Sequence, residues 1–402
     1  MDMFLQVGHG MMDHCTRLIK EWKGGSVILS PRDLDDGQLK KLSKKIRRLD
    51  GNVLLDPQFY LPHSDHRRLS SHSYWPKSYA TSGFWSGNDL ETLISDLQSL
   101  NRDLGCADFL LPGLLALDID SDWLDRQKAI INVANRLNDD EFNLISTVAL
   151  SADSARSEEQ IHTVLEGLEE WQVSGIYLVS EHPKGEYLSQ DAIWLANILD
   201  LAAGARLKGK KVIIGYSSHQ MLIAACASVS AIAAGTWMNV RSFPPEKFNQ
   251  QYEDEVKHRA TWYYCSQALS EYKVTFLDIA QKQGVLDVMK NSPDSGSDYA
   301  GVLFQGPQPT SIDFSEQSAF RHYLSTLHAQ VKAARLSTFD QTVDQYKATL
   351  DNAEAILHQL QSAGVKGQQR DFSEIIDINR AALAVLCDTR GPLLRRYWDR
   401  LL

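Results

Sequence analysis

The chain has 402 residues, 43% of them apolar and 23% charged, with a net charge of -10. That balance suits a globular protein with a large core and excludes one coated with nucleic acid over its whole surface, though not one with a local basic groove. No window approaches the ~18 uninterrupted apolar residues of a spanning helix. The start, MDMFLQVGHG, has neither a basic leader nor a long apolar run, so a cytoplasmic protein with no membrane attachment is expected. Five cysteines stand far apart with no CxxC spacing, which signals neither a disulfide framework nor a thiolate zinc site.

In chain order, short apolar runs recur at Phe4–Val7, Val27–Leu29, Val53–Leu55, Asp108–Leu111, Leu144–Leu150, Ile176–Val179, Val212–Ile214 and Ala231–Ala234. Nearly all are uniformly apolar rather than alternating, the mark of parallel strands covered on both faces. Helix-like segments separate them. In Leu39–Leu49 the leucines and Ile46 share one face, and Lys40, Lys41, Lys44, Lys45, Arg47 and Arg48 cover the other. Leu90–Leu104, with Asn88 or Asp89 as cap, repeats the pattern, as do Trp123–Leu137 and Ser157–Trp171. The rhythm predicts an α/β fold, a (β/α)8 TIM-type barrel over residues 1–243.

Pro244-Pro245 ends that rhythm, and residues 244–402 are expected to form a mainly helical C-terminal region. Asn249–Leu269 is charged, then aromatic at Trp262, Tyr263 and Tyr264; such a cluster suits a core or a protein interface. Asn291–Gly301 reads as a loop, Gln317–Gln361 as one long helix, and Glu374–Leu386 and Leu393–Leu402 as two more.

Barrels carry their chemistry at the C-terminal ends of the strands. Here those ends offer His9, Arg32 with Asp33, Asp56, Asp118, Ser151 with Asp153, Glu181 with His182, Tyr216 with His219, and Asn239 with Arg241. Asp56 stands out: it ends a buried strand, where a carboxylate is costly without partners or a task. Glu181 and His182 are the second catalytic pair, but neighbours on an extended segment face opposite sides, so one of the two faces the centre. Around Asp56, Phe59, Tyr60 and Trp75 could stack on a planar ligand. Arg32, Arg67, Arg68 and Arg241, with Asn239, could meet phosphate. Ser217, Ser218 and Gly235 suit a phosphate-holding turn, or ordinary turn chemistry. His9, His182 and His219 could ligate a metal, but no HxH or HExxH spacing supports it, so neither metal nor cofactor is expected.

The order of these segments resembles the tRNA-guanine transglycosylase superfamily, including its DNA-acting relatives. The resemblance spans about Phe4–Arg241 and rests on FLQVG, GGSVILSPRDL, VLLDPQFY, SGIYLVSEHPKGE and GKKVIIGYSSHQMLIAACASVSAIAAG. It implies that Asp56 stands at the family's essential aspartate, Phe59 near its base-stacking aromatic and Glu186 at the glutamate of its Gly-Glu. The chain departs from the family where the covalent nucleophile would lie, at Ala234 or Gly235. It departs again at the base-reading positions, Pro112-Gly113 and Ser146-Thr147, and in lacking the three-cysteine and histidine zinc site.

Three functions follow as expectations. The first is a transglycosylase-like barrel that binds or modifies a nucleobase, nucleotide or nucleic acid without the usual nucleophile. The second is a non-catalytic component of a nucleic-acid-processing or defence assembly, meeting a protein partner through the C-terminal helices. The third is an unrelated barrel hydrolase or lyase using Glu181 and His182.

Overall fold

The computed structural model describes residues 1–77, 79, 83–250, 260–292 and 297–402. Parts of two stretches singled out above, 251–259 and 293–296, lie outside the described residues. All eight apolar runs are strands, several of them beginning one or two residues earlier than the run. They are β1 (Asp2–Gln6), β2 (Gly25–Leu29), β3 (Gly51–Leu55), β4 (Asp108–Leu110), β6 (Asn143–Leu150), β7 (Gly175–Ser180), β8 (Lys211–Ile214) and β9 (Ala231–Ala234). All are parallel, in the order β3-β2-β1-β9-β8-β7-β6-β4.

This is a (β/α)8 barrel with one seam, between β3 and β4, where no strand pairing closes the ring. The interruption lies in β4. Pro112 cannot donate to a ladder, and Gly113 packs so tightly on β6 that an added Cβ would meet the Thr147 carbonyl at 2.6 Å. The chain resumes as β5 (Leu115–Ala116), paired to β6. At the mouth the Leu115 N–H donates to the Tyr60 carbonyl (3.0 Å), bridging the two sides of the seam.

Helices α1 (Met12–Trp22), α2 (Asp36–Arg47), α3 (Asn88–Leu104), α4 (Ser121–Asn138), α5 (Ala152–Arg156), α6 (Glu158–Glu170) and α7 (Ala192–Leu207) cover the outside. Helix α2 opens with a reciprocal cap: the Asp35 side chain accepts from Gln38 N, and the Gln38 side chain accepts from Asp35 N. Its basic face is exposed, as expected of an outer helix. Asp120 caps α4 through the Trp123 N–H. Helix α3 corrects the sequence reading: Gly87 is its N-cap, and neither Asn88 nor Asp89 supplies a side-chain cap.

Among the described residues no long helix directly follows β8 or β9. Residues His219–Ala227 form a tight 3-10 segment, every residue of which is buried. The C-terminal region covers it instead. After α8 (Val274–Lys282) and α9 (Leu286–Met289), helices α10 (Glu316–Ala334) and α11 (Phe339–Ser362) pack on that segment, α10 also on β1, while α12 (Ile376–Thr389) and α13 (Gly391–Leu401) pack on α7. One hydrophobic cluster therefore runs through both parts of the chain. The single helix expected over Gln317–Gln361 is two. The break falls at Arg335–Thr338, where the Thr338 side chain caps α11 by accepting from Gln341 N. Trp262, Tyr263 and Tyr264 lie in a hairpin, β10 (Trp262–Cys265) with β11 (Ser270–Lys273), and Tyr263 and Tyr264 are buried. Among the described residues no helix is long and apolar enough to cross a membrane.

Candidate functional site at the barrel mouth

Asp56 follows β3 directly and is completely buried. Three tyrosine hydroxyls and a backbone amide converge on its carboxyl. Tyr60 Oη lies 2.9 and 2.8 Å from the two oxygens. Tyr216 Oη donates to Oδ2 at 3.1 Å, and Tyr177 Oη lies 3.4 Å from Oδ2. The Gln58 N–H donates to Oδ1 at 3.0 Å. Burial pushes the Asp56 carboxyl up to about 6, against the pull of these donors. Burial and the neighbouring Asp56 charge push Tyr60, Tyr177 and Tyr216 well above the usual phenol range, so all three are neutral hydroxyls.

Two of the residues that build this centre have left-handed backbone: Gln58 (φ 54) and Tyr216 (φ 50). A non-glycine residue there costs on the order of 1 kcal/mol and persists only where the surroundings demand it. The demand is visible. Gln58 Nε2 donates to Tyr216 Oη (3.1 Å) and Ser30 Oγ (2.9 Å), and Gln58 Oε1 accepts from Arg32 N (2.9 Å). Ser30 in turn donates to Asp33 (2.8 Å), beside Arg32 Nη1 (3.3 Å) and Lys247 Nζ (3.8 Å). A buried polar network thus runs from Asp56 across the ends of β3, β2 and β8. Such networks are costly unless fully satisfied, and this one sits where barrels keep their chemistry.

Gly215 is part of the same construction. An alanine Cβ there would lie 2.5 Å from Tyr177 Oη. Gly215→Ala is expected to displace the Tyr177 ring and destabilise the fold by about 1–3 kcal/mol, read as a lower urea midpoint; an unchanged midpoint would show that the ring has room.

The mouth is roofed. Phe243 and Phe248 each lie 4.9 Å, ring to ring, from Tyr60, and Phe243 lies 5.2 Å from Tyr216. The Lys247 ammonium lies 5.9 Å from the Tyr216 ring centre, and the Lys247 carbonyl accepts from Arg32 Nε (2.9 Å).

The other expected residues are placed as follows. Phe59 is buried with its ring against Trp75, Phe84 and Tyr79, so it fills a loop core while its neighbour Tyr60 turns to Asp56. Glu181 and His182 do part company. Tyr177 and Glu181 alternate to the inner side of β7, and Glu181 accepts from Ala152 N (3.0 Å). Leu178, Ser180 and His182 line a void of about 10 Å³ against Trp194 and Ile198 of α7, room for about one water. His182 Nδ1 pairs with the Glu186 carbonyl (2.9 Å), and burial lowers its pKa to about 4. The two are not assembled as an acid–base pair. The Glu186 carboxylate accepts from Gln190 N (3.1 Å).

Ser217 donates to the Ile214 carbonyl (3.0 Å), and Ser218 caps the following turn by accepting from Gln220 N (3.2 Å). An added Cβ on Gly235 would lie 2.4 Å from Val240, so the glycine is tightly packed. The Asn239 carbonyl lies 3.4 Å from Lys247 Nζ. These positions show turn and packing chemistry. Arg67 and Arg68 are exposed. His9 is exposed, and its carbonyl accepts from Trp237 Nε1 (3.1 Å). Among the described residues no group of three or more His, Cys, Asp or Glu could hold a metal ion.

Arg241 is committed elsewhere. Its guanidinium is buried 3.4 Å from the Tyr323 ring centre and bonds Glu271 (3.1 Å), Tyr187 (3.3 Å) and the Gly235 carbonyl (2.8 Å). Arg370 reaches the same Glu271 carboxylate at 2.8 Å. Burial pushes the Glu271 carboxyl up, but the guanidinium groups of Arg370 and Arg241 outweigh it and hold it at about 2. This cluster ties the barrel to the C-terminal region.

Sequence reasoning passed over Gln6, Gln58, Tyr177 and Lys247. A glutamine inside FLQVG and a tyrosine inside GIYLVS were the available signals, each a polar tip in a strand otherwise built to be dry.

No protein-family model and no curated protein matches this chain. Solved structures with a similar course include thiamine phosphate pyrophosphorylase from Pyrococcus furiosus, 9% identical over 62% of this chain and 92% of that one, TM-score 0.33. An endo-1,4-beta-xylanase from Penicillium canescens is 11% identical over 62% and 90%, TM-score 0.37. Dihydrodipicolinate synthase from Acinetobacter baumannii is 11% identical over 91% and 99%, TM-score 0.33. None of these three is named a transglycosylase, and likenesses this distant say nothing about activity.

Proposed function

We propose that this barrel takes a nucleobase-bearing ligand at its C-terminal mouth and that Asp56 exchanges a proton with it. The observation that carries the reading is the Asp56 centre itself, a carboxyl held by tyrosine hydroxyls on strained backbone at the end of β3. A general acid or base works best with a pKa near the working pH, and about 6 satisfies that. The ligand class comes from the transglycosylase resemblance of the sequence. Covalent base exchange is not part of the proposal, because Ala234 and Gly235 offer no nucleophile.

Asp56 is sealed from solvent, so the mouth must open to admit the ligand, beneath a cover in which Phe243 and Phe248 meet the Tyr60 ring edge-on. The same packed mouth favours a second reading, a barrel that serves as a non-catalytic part of an assembly. Calorimetric titration at low salt separates the two, using free nucleobases, nucleoside monophosphates and short single-stranded DNA and RNA on wild type and Asp56→Asn. The first reading expects binding that weakens at least about tenfold in the variant, a loss of ~1.4 kcal/mol. Absence of binding to every probe by the wild type removes it and leaves the second, which co-purification then tests.

A further inference from the structure

The three tyrosines around Asp56 are not equivalent. The Gln58 amide has a fixed orientation, because Oε1 faces the Arg32 N–H, which can only donate. Nε2 therefore donates to Tyr216 Oη, and the Tyr216 proton is left to point at Asp56 Oδ2. Among the described residues Tyr60 Oη has only the two carboxyl oxygens as partners. Both are standing donors.

Tyr177 is different. Its oxygen lies 3.0 Å from Gln6 Oε1 and 3.4 Å from Asp56 Oδ2, with one proton to serve both. Gln6 is fully buried, and among the described residues its Nε2 has no partner. A buried amide donor left unpaired forfeits its hydration with nothing in return. Turning the Gln6 amide over brings Nε2 to Tyr177 Oη and frees the Tyr177 proton for Asp56. The group then left without a partner is a carbonyl oxygen, the less costly of the two.

We infer that Gln6 and Tyr177 form a reversible arm that lets Asp56 hold or release its proton without losing a hydrogen bond. With Asp56 protonated, its O–H donates to Tyr177 Oη and the Tyr177 proton rests on Gln6 Oε1. When the Asp56 proton passes to a basic atom of the ligand, or to water, the amide turns over. Nε2 then donates to Tyr177, and Tyr177 donates to the carboxylate. Tyr177 keeps one proton throughout, so Gln6 and Tyr177 are positioning residues. The inference rests on the reading of Asp56 as a proton-exchanging group.

Other charges and hydroxyls face this centre. Tyr60 and Tyr74 come from the segment after β3 and Tyr216 from the end of β8, with Arg32, Asp33 and Lys247 one layer out. All remain in the variants compared except the residue replaced.

The test is a ligand-free titration of the Asp56 carboxyl by carbon NMR with labelled aspartate, assigned by Asp56→Asn. Tyr216→Phe removes a standing donor to the ionised form and should raise the midpoint by roughly one pH unit. Tyr177→Phe should move it by less than ~0.3, because the arm serves both forms equally. Gln6→Met leaves Tyr177 no acceptor but Asp56, turns it into a standing donor, and should lower the midpoint by roughly one unit. The double variant should return toward wild type. If Tyr177→Phe raises the midpoint as much as Tyr216→Phe, or Gln6→Met leaves it unmoved, the arm does not exist. If wild-type Asp56 does not titrate between pH 4 and 8, the proton-exchange reading itself fails, a different outcome from the first.

Discussion

Glu271→Gln should destabilise this protein by roughly 3–5 kcal/mol, the usual cost of leaving a buried charge without its partner. The Arg241 guanidinium is buried and stacked on Tyr323, and it cannot shed its proton to escape. In the variant it keeps Tyr187 and the Gly235 carbonyl but loses the carboxylate. Arg370 suffers less, since it reaches the surface and rests on the Trp262 ring at 4.0 Å. Adding Arg241→Met should recover much of the loss, because removing both partners leaves no stranded charge. Urea unfolding of the single and double variants reads both effects; a single variant within ~1 kcal/mol of wild type would mean that the cluster is not the clamp between the two parts of the chain.

The same group sets an acid limit. The folded-state pKa of Glu271 is depressed from 4.5 to about 2. Between those values the unfolded chain binds the proton and the folded chain does not. The stabilisation is thus complete above pH 4.5 and drains away as pH falls toward 2, about 3 kcal/mol in all.

Asp56 acts with the opposite sign. Its folded-state pKa is raised from 3.8 to about 6. Between these values the folded chain holds a proton that the unfolded chain has lost, so stability falls as pH rises through the window. By pH 8 the deficit is about 3 kcal/mol. Asp56→Asn should therefore be more stable than wild type at pH 8, by up to about 3 kcal/mol. Its advantage should shrink as pH falls from about 6 toward 3.8 and be gone below that. Tyr177, able to turn its proton to Gln6 Oε1, can accept from the new amide, and Tyr60 can donate to its oxygen. A buried group that weakens its own fold is the pattern expected of a residue kept for a task rather than for stability. Unfolding of both proteins from pH 4 to 8 checks this; a variant less stable than wild type at pH 8 would make Asp56 a structural carboxylate instead.

The eight strands were legible because a strand buried on both faces has to be apolar at nearly every position, and the runs were, with a few polar residues such as Gln6 and Tyr177 standing out. The (β/α)8 closure followed from their spacing. The fate of the polar residues was not legible. Periodicity says that Tyr177 and Asp56 are both inside, but they are 121 residues apart, and nothing local tells that they meet. Arg241 read as a phosphate ligand because its partner, Glu271, lies beyond the apparent end of the barrel. Phe59 and Tyr60 looked alike on paper; the alternation of the chain after Pro57 sends one ring into a loop core and the other hydroxyl to the carboxyl.

The unpaired flank of β3 has a bearing on all of this. A ring hydrogen-bonded all the way round has its girth set by its ladders, and stretching it breaks several bonds at once. Here the circumference is slit between β3 and β4, with the Leu115-to-Tyr60 bond bridging it at the rim. Asp56 stands on one lip of that slit. Parting the lips would widen the cylinder beside the carboxyl while every strand pair elsewhere stays intact, so a guest could enter sideways, with the Phe243 and Phe248 cover still in place.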